Sequence, residues 1–201
     1  MPDVLLGSSS KWRAQLVQAA LPDGFQLCPE RLSPDIDEKA IRRDDPSEMV
    51  VAIAQAKTTR LLEMLEDREK PDLLICCDQV IVFNGQIREK PENEAQAKQH
   101  LLSYGDKQIP AICISGVVIT NVKSGFRCFG VDIATQSFEK MPEEIADQLL
   151  AKGDIMYCAG SFVAEDPLLE PYLGDRQGEF ESIQGMPIQL TKTLLLEASI
   201  N

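Results

Sequence analysis

The sequence predicts an α/β fold on a mixed, partly antiparallel central sheet with flanking helices, and three observations carry that prediction. Apolar runs of strand type, the longest being Leu73–Phe83, are interspersed with helix-start signals, but without the regular strand–helix alternation of a doubly wound parallel sheet. Asn84-Gly85 between two strand-like runs marks a tight hairpin, hence an antiparallel pair. The 201 residues, 44% hydrophobic and 26% charged, suffice for one well-buried domain or two small ones sharing a cleft, which excludes disorder and fibrous repeats.

Taken in order, Val4-Leu5-Leu6 is a first strand, broken by Gly7 and Ser8-Ser9-Ser10, with a helix over 12–20 ending before Pro22. Asp45-Pro46-Ser47-Glu48 starts the next helix, with Asp45 as N-cap and Pro46 at the first helical position, running to about 66. The strand Leu73–Phe83 turns at Asn84-Gly85 into a return strand over 86–90, stopped by Pro91, and a helix over 93–103 follows. Residues 111–122 and 125–138 are two further strands. Pro142 opens a helix that Gly153 closes. Residues 158–185, rich in Gly, Pro and acids, are expected to form a looped wall of a site rather than core, and a helix over 188–198 ends the chain.

Lys plus Arg number 20 against 32 for Asp plus Glu, a net charge of −12, which repels the phosphates of a long nucleic acid. A small anionic substrate needs only a few cations gathered in one pocket. Cys28, Cys76, Cys77, Cys113, Cys128 and Cys158 show no paired spacing and are expected reduced; Cys76 and Cys77, on opposite strand faces, cannot pair with each other. No segment reads as a signal peptide or reaches the ~20 apolar residues of a membrane span, so a cytoplasmic protein is expected. The one histidine, His100, is expected to be solvated, which excludes histidine triads and histidine zinc sites.

Four features carry chemistry. The turn Gly7-Ser8-Ser9-Ser10-Lys11-Trp12-Arg13 sets hydroxyls, a helix N-terminus and basic side chains where a polyphosphate could bind, although an ordinary serine cap explains it equally well. Lys57 falls on the apolar stripe of Val50, Ile53, Ala54, Leu61, Met64 and Leu65, so its ammonium is predicted on the core side, where it needs an anion. Asp78 interrupts a strand that is otherwise apolar on both faces and must have a partner, a metal or a task; Gln79 points the opposite way. The hairpin ladder, continued from Phe83 opposite Gln86, sets Lys90 opposite Gln79 and diagonal to Asp78, a plain ion pair being the competing reading. Asp35-Ile36-Asp37-Glu38 is a loop of three carboxylates, the oxygen ligands that Mg²⁺ or Mn²⁺ prefers when it also holds phosphates, an ordinary solvated acidic loop being the competing reading.

On these residues the chain resembles the Maf family of nucleoside triphosphate pyrophosphatases over nearly its whole length. The turn from Leu6 to Arg13, Asp37-Glu38, Ala54-Gln55-Ala56-Lys57, Cys77-Asp78-Gln79-Val80, Glu89-Lys90-Pro91, Cys158-Ala159-Gly160-Ser161-Phe162 and Gly185-Met186-Pro187-Ile188 follow the order of the family's motifs. The resemblance implies a single domain over 1–201, similar to the inosine-triphosphatase group, with two lobes around a central cleft and a homodimeric state. It implies cleavage between the α and β phosphates with Mg²⁺, Mn²⁺ or Co²⁺. Carried over, Glu38 binds metal, Asp78 is general base or metal ligand, Arg13, Lys57 and Lys90 bind phosphates, and Ser8 and Ser10 line the phosphate turn.

Trp12 and Gln79 resemble the branch acting on 7-methyl-GTP, whose cationic base would stack on tryptophan, with Glu165 accepting from the guanine edge; core packing of Trp12 is the competing reading. Lys11 in place of a proline, Ala14 in place of a second basic residue, and Glu89 in place of a glycine depart from the family pattern. A UTP or dTTP pyrophosphatase is the alternative, as is a nucleotide-binding module of division control with little turnover. No nucleic acid polymer or membrane is expected as a partner.

Overall fold

A computed structural model describes residues 1–105 and 108–201. Its strands are β1 (Asp3–Leu6), β2 (Gln26–Leu27), β3 (Leu73–Phe83), β4 (Gln86–Arg88), β5 (Ala111–Asn121), β6 (Arg127–Phe138) and β7 (Leu173–Gln177). The helices are α1 (Lys11–Ala20), α2 (Pro46–Met64), α3 (Glu94–Ser103), α4 (Glu143–Lys152), α5 (Phe180–Ile183) and α6 (Ile188–Ser199), with short 3₁₀ turns between. The strands lie in the order β2-β1-β3-β5-β6-β7, and β4 pairs with β3. β1 runs parallel to β2 and β3, whereas β3–β4 and β6–β7 are antiparallel, so the sheet is mixed as expected.

The chain forms two compact units, one of residues 1–78, 115–132 and 185–201, the other of residues 79–114 and 133–184. In the first, strand alternation sorts the core onto two faces. Val4 and Leu6 of β1 with Leu73, Ile75 and Cys77 of β3 join Val17 of α1 and Leu194, Leu195 and Ala198 of α6. Leu5, Leu74 and Cys76 instead join Leu61 and Leu65, at the C-terminal end of α2. Adjacent cysteines therefore enter different clusters, and all six cysteines are free. Gly7 continues β1 by donating its N–H to Ile75 O at 2.8 Å, and a Cβ there would run into Leu61 Cδ1 and come within 2.9 Å of Cys76 Sγ.

The second unit is built around rings. Tyr104 stacks on Phe138 at 4.7 Å and meets Phe83 and Phe162 edge-on at 4.8 and 5.7 Å. The hairpin is as expected: Phe83 pairs with Gln86, and both loop residues have positive φ, Asn84 at 49° and Gly85 at 73°.

Several expectations are corrected. The return strand stops at Arg88, because Glu89 O turns away to accept from Gly160 N at 3.1 Å and Pro91 has no N–H to offer. Lys90 is therefore an exposed residue in a bend and has no ladder partner opposite Gln79. The segment 158–185 is not merely a wall: residues 160–164 are buried and 173–177 form β7. His100 is half-buried, with Nδ1 2.9 Å from Ser161 Oγ, and burial and then the Arg88 charge push its pKa down to about 4. Two-residue β2 was not anticipated.

Candidate functional site

The first unit carries a compact charged group. Pro46 and the Asp45 cap, whose Oδ1 accepts from Ser47 N at 2.8 Å, start α2 and set its face, and on that face Lys57 is 7% exposed. Its Nζ lies 2.7 Å from Asp78 Oδ1 and 2.8 Å from Glu38 Oε1. The lysine that meets Asp78 is thus Lys57. Asp78 is itself buried; burial raises its pKa, while Lys57 first and Arg13 next pull it back down.

Glu38 opens a 3₁₀ turn over Glu38–Ala40, capped by Asp37, whose Oδ1 accepts from Ala40 N at 3.2 Å. Arg42 closes that turn from below in sequence, donating from Nη1 to Glu38 O at 3.2 Å and Ile41 O at 3.0 Å. Asp37 and Arg42 thereby fix the backbone that presents Glu38. The sequence reading missed the role of Arg42, for which Arg42-Arg43 next to an acidic loop was the available signal.

At the other end of the group, Ser10 caps α1 by accepting from Arg13 N at 3.3 Å, and buried Ser8 accepts from Ser10 N at 3.2 Å. Both hydroxyls shape the turn. Arg13 is held by two carbonyls, Nε to Gly185 O at 3.0 Å and Nη1 to Cys77 O at 3.1 Å. No sequence signal announces such backbone acceptors. Trp12 is half-exposed, with Lys11 Nζ 4.7 Å from its ring centroid.

A family model described as Maf-like protein matches residues 3–198. The chain belongs to the Maf family. Among Maf relatives, a 7-methyl-GTP pyrophosphatase of Dictyostelium discoideum is 42% identical over 98% of this chain and 97% of its own. A 7-methyl-GTP pyrophosphatase of Nitrosococcus oceani is 29% identical over 96% of this chain and 92% of its own. A crystal structure of a nucleoside-triphosphatase, dITP/XTP pyrophosphatase, from Mycobacterium abscessus aligns with a TM-score of 0.44 at 10% identity, over 98% of this chain and 96% of that one.

Of the residues the Maf resemblance singles out, Ser8, Ser10, Trp12, Arg13, Glu38, Lys57 and Asp78 lie in the first unit. Gln79, Lys90 and Glu165 belong to the second, where Lys90 and Glu165 are both exposed. Gln79 is half-buried and spends its amide on the end of α5, Nε2 donating to Ser182 O at 2.8 Å. Glu38 and Asp78 are hard oxygen donors that converge on one ammonium. Carboxylates of this type are what a Mg²⁺-type ion takes, one or two of them with water and substrate phosphates, although among the described residues no group of three or more His, Cys, Asp or Glu side chains gathers here and the Lys57 ammonium occupies the point where these two meet.

Proposed function

We propose that this chain is a nucleoside triphosphate pyrophosphatase that hydrolyses the α–β phosphate bond of a modified nucleotide, 7-methyl-GTP foremost, to the monophosphate and pyrophosphate. The observation that carries this reading is the 42% identity, end to end, with the Dictyostelium discoideum 7-methyl-GTP pyrophosphatase. The charged group of Arg13, Glu38, Lys57 and Asp78 supports it, because each of these residues has a task in such a reaction.

Asp78 accepts the proton of the attacking water at a carboxylate oxygen. Burial makes it a better proton acceptor than an exposed carboxylate, while the charges of Lys57 and Arg13 favour its ionised form. Arg13 and Lys57, with Lys90, take the negative phosphate oxygens, and the N-terminus of α1 behind Ser8 and Ser10 adds backbone N–H groups. Glu38 and Asp78 would hold Mg²⁺, Mn²⁺ or Co²⁺, which when bound neutralises phosphate charge. Trp12 stacks on the cationic base, and Glu165 accepts from the guanine edge. The same reading has the protein act in the cytoplasm as a homodimer, and the exposed Phe129, Val131 and Ile133 along β6 are apolar surface in support of self-association.

The test is pyrophosphate release by the purified protein with Mg²⁺ or Mn²⁺ across 7-methyl-GTP, GTP, UTP and dTTP. The highest kcat/KM is expected for 7-methyl-GTP; release from none of them overturns the reading. Light scattering of the same sample reports the oligomeric state.

A further inference from the structure

Glu38 and Asp78 meet on a cation that belongs to the chain itself. Lys57 Nζ is 2.7 Å from Asp78 Oδ1 and 2.8 Å from Glu38 Oε1, and all three residues lie in the first unit. A second cation on those same oxygens, at the roughly 2.1 Å that Mg²⁺ demands, would stand within about 5 Å of the ammonium and repel it. Charge balance leaves little to draw it in. The two carboxylates already face two cations, because the Arg13 charge also acts on Asp78. Among the described residues no third acidic, histidine or cysteine side chain joins them in a group that could hold a metal.

The three side chains are unevenly open. Those of Lys57 and Asp78 are each 9% exposed, whereas that of Glu38 is 39% exposed, so ions in solution reach the group from the Glu38 side. Lys57 is equipped to change partners there. An ammonium carries three N–H groups on a flexible stem, so one can meet an arriving phosphate oxygen before the others let go of the carboxylates, and no charge is left buried and unpaired on the way.

We propose that the Lys57 ammonium is a resident placeholder: it occupies the cation position between Glu38 and Asp78, and yields it to a divalent metal only when phosphate offers the ammonium another anion. The exchange with phosphate rests on the pyrophosphatase reading; the occupied position does not. The chain then has no tight metal site of its own, and metal arrives together with nucleotide.

The test is Mn²⁺ binding at pH 8, read without turnover by electron paramagnetic resonance of free Mn²⁺ and by water-proton relaxation. With Mn²⁺ alone, Lys57→Met and Lys57→Gln are expected to bind one ion about tenfold or more tightly than the unmodified protein, as when a like charge leaves a site. Glu38→Gln added to Lys57→Met should remove that gain. In the unmodified protein, the α,β-methylene analogue of the nucleotide it turns over best should bring Mn²⁺ into a ternary complex. The proposal is overturned if the unmodified protein binds Mn²⁺ alone as tightly as the Lys57 variants do, or if the gain survives Glu38→Gln. No ternary complex in a protein that turns nucleotide over would overturn it as well. If the unmodified protein releases pyrophosphate from no nucleotide, the pyrophosphatase reading fails, and the comparison with Mn²⁺ alone still decides whether Lys57 holds the cation position.

Discussion

Lys57 Nζ stands 2.7 Å from Asp78 Oδ1 inside the first unit, with Glu38 Oε1 at 2.8 Å on the same ammonium. Asp78 needs to be ionised to act as a base. Its pKa is raised above 3.8 chiefly by burial, with Lys57 the main influence pulling it down. The acid limb of kcat/KM for the free enzyme is therefore expected above the ordinary carboxylate range. Lys57→Met removes the lowering influence, so the limb moves to higher pH, and the rate on the plateau falls by about 100-fold or more, as when one charge-stabilising donor is lost. A pH profile of both proteins checks this; a limb that stays put or moves to lower pH contradicts it.

The same pair makes a prediction about folding. Removing one member of a buried ion pair costs about 3–5 kcal/mol when the other stays charged. Asp78 can avoid that cost by taking up a proton. A carboxyl whose folded pKa lies above its unfolded value contributes stability in full below the unfolded pKa and loses it as pH rises through the folded one. Lys57→Met raises the folded pKa of Asp78 further, so its deficit against the unmodified protein should grow with pH. Lys57→Met with Asp78→Asn should be nearly free of that trend. Urea denaturation at pH 5 and pH 8 measures both, and a deficit independent of pH rejects the argument.

Lys57 and Asp78 were legible in the sequence because each violates a pattern: a cation on an apolar helical stripe, a carboxylate in an apolar strand. The Asn84-Gly85 hairpin was legible because turn chemistry is local. What periodicity reports is the face a residue occupies, not its neighbour across the fold. Extending the ladder past its end at Arg88 therefore sets Lys90 beside Asp78, whereas the lysine on Asp78 comes from α2. β7, Leu-Gly-Asp-Arg-Gln, has no apolar alternation because most of it is exposed, and its pairing with β6 supplies what its composition does not. The carbonyls that hold Arg13 leave no trace in side-chain identity at all.

Gly7 is required for close approach. An alanine Cβ would collide with Leu61 Cδ1 in the buried face below α2 and sit 3.1 Å from the Ile75 carbonyl, a backbone atom that cannot yield easily. Gly7→Ala should cost about 1–3 kcal/mol, as overpacked cores do. Adding Leu61→Ala should recover less than the whole, because the Ile75 and Cys76 contacts remain. Thermal unfolding of the single and double variants checks the order.

His100 contributes a pH dependence of the opposite sign to that of Asp78. Its folded pKa is pushed from 6.5 to about 4, by burial first and the Arg88 charge second, while Nδ1 meets Ser161 Oγ at 2.9 Å. A depressed pKa contributes stability that is complete above 6.5 and drains away as pH falls toward about 4. Ser161 is held at φ 62°, which a non-glycine residue occupies at a cost, so loss of this contact should be felt at the 160–161 turn. His100→Asn should be less stable at pH 7 and less sensitive to acid between pH 6.5 and 4. An unchanged acid sensitivity in chemical denaturation would show that other groups carry it.

Trp12 separates base choice from catalysis. It lies on α1, directly before Arg13, half-exposed, with one cation, Lys11, already 4.7 Å from its ring. A ring that accepts one cation accepts another, and a methylated guanine is cationic where uracil is neutral. Trp12→Arg replaces an attractive π face with a repelling charge, so kcat/KM for 7-methyl-GTP should fall by roughly 3- to 30-fold, the range of a cation–π contact, while UTP is little affected. Trp12→Phe keeps a weaker face and should fall between. Stability should change by less than about 1 kcal/mol, since little apolar packing is lost at a half-exposed position. Equal losses for both nucleotides would mean that Trp12 supports the phosphate turn around Arg13, and base discrimination would then have to come from the second unit, where Glu165 becomes the residue to change.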